Sequence, residues 1–339
     1  MKSLVLRGGA AALLVIALLG CISTPIQRSA PLAARNQHPA QLTAIHAPAR
    51  EARPVPVGNV DATVALDYTS LWLRPGRGRD ELNTDGELFR TELGARVGIL
   101  PGFDLEIGIP ILHPTSGFLD AFIEGWHDAF GLPQNSRDDF PRHEFDVGAT
   151  RVRRDGAVVD AYRLEEDGLH VGDIPVFLSW FPFVAEGEGF SFGVRGGVEF
   201  PTGDDDDGFG TGGLDWNLGA LGQWAGPGYT VFAWGGRSWL HRPDRAERAN
   251  LDYPAVDSFA GGVELGITEK LSALGQVEWE RSVLRRLDDD NADQDQVLIW
   301  FGGRYRFSDR MDLELGLSED LVSDVSADVT FHAGFRVRF

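Results

Sequence analysis

One cysteine in 339 residues, and no apolar run of bilayer-spanning length after residue 21, are the first features of this sequence. A lone thiol excludes a disulfide-stapled scaffold. Without a stretch of ~20 apolar residues there is no transmembrane helix. Positive charge is also scarce: 31 Lys and Arg stand against 51 Asp and Glu, a formal net charge of -20. Such a chain repels a polyanion, so nucleic acid is not an expected partner.

The cysteine sits where it has a use. Lys2 and Arg7 form a short positive region and Ala10 to Leu19 an apolar run too short to span a bilayer. Leu18-Leu19-Gly20-Cys21 follows. Residues 1–20 therefore read as an export signal, and their end resembles a lipobox, which makes Cys21 the expected lipidation site. An ordinary signal peptide cut after Ala30 or Ala33 is the competing reading. Residue 22 is Ile rather than Asp, which in the lipoprotein pattern implies no retention at the inner membrane. Residues 21–58, rich in Pro, Ala, Gln and Arg, read as a lipid-anchored tether or lumen segment.

What the chain has in quantity is glycine (42), phenylalanine (21) and tryptophan (9). From Asn59 onward the hydrophobic period is two, the mark of strands with one apolar and one polar face. Val329, Phe331, Ala333, Phe335, Val337 and Phe339 alternate with Thr330, His332, Gly334, Arg336 and Arg338. A final amphipathic strand ending in Phe resembles the signal read by the outer-membrane barrel assembly machinery. A soluble sandwich would show the same periodicity, so the connections must decide. Strands are expected near 60–73, 87–100, 103–113, 172–183, 190–201, 214–225, 228–240, 257–267, 270–283, 295–307, 309–318 and 327–339. Their joins alternate strictly between short and long, as in a transmembrane barrel with tight periplasmic turns and long outer loops. The expected fold is all-β: a monomeric transmembrane antiparallel β-barrel of about twelve strands, formed by residues 59–339. Its place is the cell outer membrane, among lipid and lipopolysaccharide. Trp72, Trp180, Trp224, Trp239, Trp279 and Tyr229 lie near strand ends, as aromatic girdles require; core packing is the other use for such side chains.

Several stretches suggest chemistry. Glu199 to Trp224 reads EFPTGDDDDGFGTGGLDWNLGALGQW and contains the dinucleotide pattern G-x-G-x-x-G. That pattern needs a following helix, but Leu214, Trp216, Leu218 and Ala220 continue at period two. An EF-hand fails as well, because Gly203 and Leu214 occupy the positions of its first Asp and last Glu. Loose binding of a surface divalent cation by Asp204, Asp205, Asp206 and Asp207 competes with a plain solvated charge run. No other cofactor is expected.

The long extracellular loop 114–171 carries GFLDAFIEGWHDAF, whose apolar residues have helical spacing. A helix-bearing lid is expected there, with Phe118, Glu124, Trp126, His127 and Asp128 as its notable side chains, followed by a hairpin around Asp155-Gly156. His113, Ser116, His127, Ser136 and His143 could in principle serve a lipid hydrolase, yet no spacing marks a nucleophile and the chain is not expected to be an enzyme.

The polar strand faces carry both signs of charge. The expected lumen lining includes Arg96, Glu106, Arg195, Glu199, Glu278, Arg304, Arg306, Glu314 and Arg336, with Arg90, Arg237, Arg338, Glu92, Asp104, Glu264, Glu280 and Asp312 on the same faces. Two readings stand side by side: a lumen filled by Arg–carboxylate pairs and a polar pore whose lining selects solutes.

PLAARNQHPAQL (Pro31 to Leu42), GFLDAFIEGWHDAFGLP (Gly117 to Pro133), DDFPRHEF (Asp138 to Phe145) and FPTGDDDDGFGTGGLD resemble a bacterial family known as domain of unknown function 3187. The PTGD…GxG…D stretch is also similar to outer-membrane barrels described as transporters linked to phenol or hydrocarbon degradation. The resemblance implies an exported, barrel-like protein and supplies no activity; the lipobox departs from the ordinary signal peptides associated with the family. In some hydrocarbon-transport barrels the N-terminal segment plugs the lumen. Here Arg35 to Leu42 lies close enough to the first strand to dock on the inner wall. The expected role is passage or binding of a small solute, with a closed structural or adhesive barrel second and a lipid hydrolase third.

Overall fold

In lipid, every backbone donor and acceptor must find a partner within the protein, and an open sheet fails at its two edges. This chain removes the edges. The computed structural model describes residues 30–119, 125, 143–166, 168–321 and 326–339. Within them β1 (Val60–Leu73), β2 (Glu81–Leu100) and β3 (Phe103–Thr115) begin the wall. A side hairpin of β4 (Asp146–Val152) and β5 (Val158–Arg163) and the short β6 (His170–Val171) interrupt it. The wall resumes with β7 (Ile174–Phe183), β8 (Gly189–Phe200), β9 (Asp215–Gly226), β10 (Tyr229–Trp239) and β11 (Val256–Gly266). It ends with β12 (Leu271–Glu280), β13 (Gln296–Ser308), β14 (Met311–Asp320) and β15 (Val329–Arg338). β3 pairs with β7, and β15 returns antiparallel to β1, Phe331 beside Tyr68, so twelve strands close into a barrel.

The expected strands are all present, with ends shifted by a few residues. The one sizeable difference is β2, which starts at Glu81 rather than near residue 87. Its extra residues extend past the loop end of the barrel and pair with β4, from Glu81 opposite Thr150 to Asp85 opposite Asp146. A partner sixty residues away leaves no mark in the local pattern. The hairpin around Asp155-Gly156 forms as expected, with Gly156 at φ 84°. The short joins are tight turns: Gly102 in Pro101-Gly102 adopts φ 79°, where a side chain would be strained.

Burial follows the pleat. β12 alternates exposed or half-buried with buried positions almost without fault. On the outside, Leu218, Leu315 and Phe259 are exposed apolar side chains, which face lipid in a membrane. Two aromatic rims border this belt. At the turn end Trp180 stacks on Phe103 and Phe190 pairs with Trp224; at the loop end Trp216 pairs with Trp239 and Phe259 stacks on Trp279 at 5.5 Å. Trp216 and Trp224 sit on the same strand, eight residues apart, a rise of about 27 Å, close to the height of a barrel's lipid-facing band. Trp72 departs from the expected girdle: it is 6% exposed and lies under the Arg74 guanidinium at 4.3 Å, above the belt.

The largest apolar cluster is not in the wall but over the loop end. Leu71, Leu73 and Leu82 meet Tyr162, Leu164, Phe209, Leu251, Leu284 and Leu287 there, and Ala40 and Ala44 join them from below. The outer loops thus share one buried core that caps the barrel mouth.

Candidate functional site

A barrel of this size has a lumen lined by the polar face of its strands, and those polar groups need partners once water is excluded. Residues 30–58 supply many of them. Val57 bridges to Gly98 beside the first turn, and the segment then runs up the lumen. Arg50 reaches Asp104 through both terminal nitrogens, at 2.8 and 2.7 Å. The Val55 amide donates to the same carboxylate at 3.0 Å. Higher up, the Pro48 carbonyl accepts from Arg195 at 2.5 Å and the Ile45 carbonyl from Ser238 at 2.6 Å.

At the top is a single-turn helix, α1 (Pro39–Leu42), begun by a proline that needs no amide partner. Gln41 accepts from the Val283 amide at 2.6 Å and donates to the Arg281 carbonyl at 3.2 Å, joining α1 to the β12–β13 outer loop. The chain then turns back. Asn36 donates to Glu280 at 3.1 Å and also bonds Gln296; Gln37 donates to Asp67 at 3.2 Å. Lower down, the Ala33 amide donates to Glu314 at 2.9 Å, and the Pro31 carbonyl accepts from Arg304 at 2.8 Å. Residue 30 and residue 58 therefore both lie toward the turn end. Apolar packing against the wall is slight by comparison: Leu32 and Ala34 against Leu274, Leu298 and Trp300, and Ala52 against Phe181 and Leu221; only Ala40, Leu42 and Ala44 reach the outer-loop core.

The wall also pairs its own charges. Arg304 bonds Glu264 at 3.0 Å and Glu314 at 2.7 Å. Arg96 meets Asp61 at 3.0 Å, Arg195 meets Glu106 at 2.8 Å, and Arg90 meets Glu92 and Asp67. His332 bridges Asp67 at 2.7 Å and Glu314 at 3.2 Å. Beside the segment, two cavities of about 30 and 50 Å³ remain, room for a few waters at most. The turn end opens into a wider vestibule of about 560 Å³, lined by Glu51, Arg53, Arg306 and Arg338 among others.

All nine expected lumen residues are on inward faces. Arg96, Arg195, Glu199, Glu278, Arg304, Glu314 and Arg336 are buried; Glu106 and Arg306 are half-buried. Arg237, also read as inward, instead faces out and pairs with Asp257 at 3.3 Å. It lies near the loop end, where a charge can stay in water. Glu199 sits opposite Asp215, and each carboxylate keeps one oxygen without a hydrogen bond.

Sequence reasoning missed Asp67 and Ser179 as lumen groups, and it stopped the docking segment at Leu42. His46, Arg50 and Glu51 are as engaged as Arg35 to Leu42. Their only signal was indirect: the expected wall holds more carboxylates than arginines.

Of the lid residues, Phe118 is exposed with its ring 5.5 Å from Tyr68, and its amide donates to the buried Glu87 at 2.8 Å. Glu124, Trp126, His127 and Asp128, the helix expected to carry them, and Cys21 lie outside the described residues. His113 and His143 each bond a main-chain carbonyl, of Gly168 and Gly117.

The aspartate run serves its own loop and the next one. Asp204 accepts from the amides of Asp206 and Asp207 at 3.0 and 3.2 Å. Asp205 accepts from the amide of Asp244, the first residue of α2 (Asp244–Arg248). Asp206 pairs with Arg248 at 2.6 Å, and that guanidinium holds its carboxyl below the usual range. Among the described residues no group of three or more acidic, His or Cys side chains is placed to hold a metal ion. The glycines serve packing: Gly208 has φ 88°, and a Cβ there would meet the Arg163 carbonyl oxygen at 2.3 Å. Next to it Phe209 enters the cap core and stacks on His170 at 3.9 Å.

Comparison with known proteins gives a family and a fold. The family model described as Protein of unknown function (DUF3187) matches residues 13–339. No curated protein sequence matches. The COG4313 outer membrane channel from Pseudomonas putida F1 superposes with a TM-score of 0.58 at 13% identity, covering 85% of this chain and 98% of that one. The Ralstonia pickettii toluene transporter TbuX gives 0.40 at 11% identity, over 91% and 96% of the two chains. The KdgM porin gives 0.41 at 8% identity, over 83% and 99%. The first of these likenesses establishes the outer-membrane barrel fold.

Proposed function

We propose that this chain, a member of the DUF3187 family, is an outer-membrane channel for a small solute that rests closed, with residues 30–58 as its plug. The observation that carries the reading is how the segment is held. It meets the barrel wall mainly through hydrogen bonds and ion pairs, such as Arg50–Asp104, Asn36–Glu280 and Ala33–Glu314, and its larger apolar contacts are with the outer-loop core through Ala40 and Ala44. Water can replace such contacts one by one, so the segment can leave without unfolding the barrel. The structural neighbour named as an outer membrane channel agrees with a passage role in general.

Both ends of the segment point to the periplasmic side, so release and return need no passage across the membrane. A lipid on Cys21 would fix the far end at the inner leaflet, since nine residues span up to ~30 Å. The outer loops, 114–171 among them, form a lid over the mouth that shares its core with Ala40 and Ala44, so the lid loosens when the segment leaves.

One observation favours the closed structural barrel instead: the outer loops and α1 share a single apolar core. Liposome swelling separates the two. Deleting residues 31–50 should speed the entry of small neutral sugars relative to the full chain. Equal, slow swelling with a folded barrel would support the structural reading. The hydrolase reading has no such support, and the channel reading carries no catalytic step.

A further inference from the structure

We propose that the wall pocket now filled by Arg50 is a binding site for guanidinium- or ammonium-bearing solutes, and that the open lumen takes cations. The proposal rests on the plug reading and names its cargo.

The pocket's side chains come from the wall; the segment adds only the Arg53 carbonyl, which accepts from Arg50 at 2.9 Å, and the Val55 amide on Asp104. Asp104 receives the Arg50 guanidinium in the two-pronged geometry that matches a planar cation to a carboxylate, at 2.8 and 2.7 Å. Glu106 adds a second carboxylate at 3.3 Å. The Ser179 hydroxyl lies at 3.5 Å, and the Phe181 ring centre is 5.0 Å from the guanidinium carbon, within cation–π range. Asp104 and Ser179 are 0% exposed. These four residues come from β3 and β7, so lifting the segment removes the cation and leaves its receptor. Glu106 keeps Arg195 as a partner at 2.8 Å, whereas Asp104 loses its counter-charge. Arg50 thus occupies the pocket as an internal ligand.

The lumen as a whole has the same sign. The barrel strands bury twelve carboxylates, Asp104 and the mouth's Asp85 among them, against five arginines and His332. The wall arginines are largely matched within the wall, as Arg304 is by Glu264 and Glu314. The segment brings what the wall lacks: His46 at 3.3 Å and Asn36 at 3.1 Å on Glu280, and the Ala33 amide on Glu314. Its departure uncovers carboxylates, and a narrow lumen of that charge concentrates cations and repels anions.

The test uses the full-length Arg50→Ala variant in planar bilayers under a potassium chloride gradient. The reversal potential should correspond to a K⁺/Cl⁻ permeability ratio above about 3. L-arginine methyl ester should block the potassium current, with sodium glutamate inert. Adding Asp104→Asn should weaken that block about tenfold, the scale of one charge-assisted pair. Should the doubly substituted chain fail to fold, Phe181→Leu keeps an apolar side chain there and should weaken the block through loss of the ring face. A ratio at or below one, or a block indifferent to both substitutions, overturns the proposal and leaves the plug reading standing. If Arg50→Ala and the 31–50 deletion both stay silent in a folded barrel, the plug reading fails and the cargo with it.

Discussion

Replacing Arg50 by Ala should free the N-terminal segment while the barrel stays folded. In the docked state Asp104 is 0% exposed and takes both Arg50 nitrogens, so the substitution leaves a buried carboxylate without its cation. Breaking a buried pair from one side costs about 3–5 kcal/mol. Two features pull the cost to the lower end. The Val55 amide still donates to Asp104 at 3.0 Å, and Arg195 still neutralises Glu106. In the undocked state water solvates the carboxylate, so the penalty falls on docking and not on the barrel. About 3 kcal/mol corresponds to a shift of roughly a hundredfold in the docking equilibrium. Amide hydrogen exchange on peptides from residues 30–58 reads this directly. Their exchange should accelerate by up to that factor, while peptides from β8 to β12 keep their protection. Unchanged exchange in 30–58 would refute the view that Arg50 anchors the segment; loss of protection throughout would refute the view that the barrel stands without it.

Other consequences can be checked separately. Leu315→Arg puts a cation in the middle of the lipid-facing belt and should destabilise the barrel by about 2–4 kcal/mol in denaturant titrations from liposomes. Gly208→Ala forces a side chain onto the Arg163 carbonyl at positive φ; a cost of about 1–3 kcal/mol should appear as faster protease cleavage of the outer loops with the barrel intact. Burial pushes the His38 imidazole down to about 4, with Glu280 opposing, and both ring nitrogens lack hydrogen bonds. The free segment therefore binds a proton that the docked one excludes: docking is strongest above pH ~6.5 and weakens as pH falls toward 4. His38→Gln should flatten that dependence in exchange measurements between pH 7 and 5. Metabolic labelling with a palmitate analogue should mark the chain, and Cys21→Ser should abolish the label.

Much of the barrel could be read from sequence because its cause is local. Alternation along each strand is imposed by two environments on either side of the sheet, and the Pro-Gly turns are imposed by backbone geometry. The inward faces follow from the same alternation, which is why Arg195, Glu199 and Arg304 are buried. What stayed hidden depended on distant partners. β2 extends to Glu81 because β4 lies beside it. Trp72 left the girdle because Arg74 and the outer loops cover it. Arg50 sits in a Pro- and Ala-rich stretch with no period at all, and its role comes from Asp104 across the lumen. The aspartate run also depends on a distant partner: Asp204 serves amides of its own loop, but Asp205 and Asp206 reach the Asp244 amide and Arg248 of the next outer loop.

The central claim is that the lumen is closed by a removable part of the same chain. Single-channel recording in planar bilayers, with the full chain and the 31–50 deletion side by side, tests it most directly. The full chain should be silent or open rarely, and the deletion should give stable, long-lived openings. Silence from both, with each barrel shown to be folded, would contradict the claim and leave a closed structural barrel.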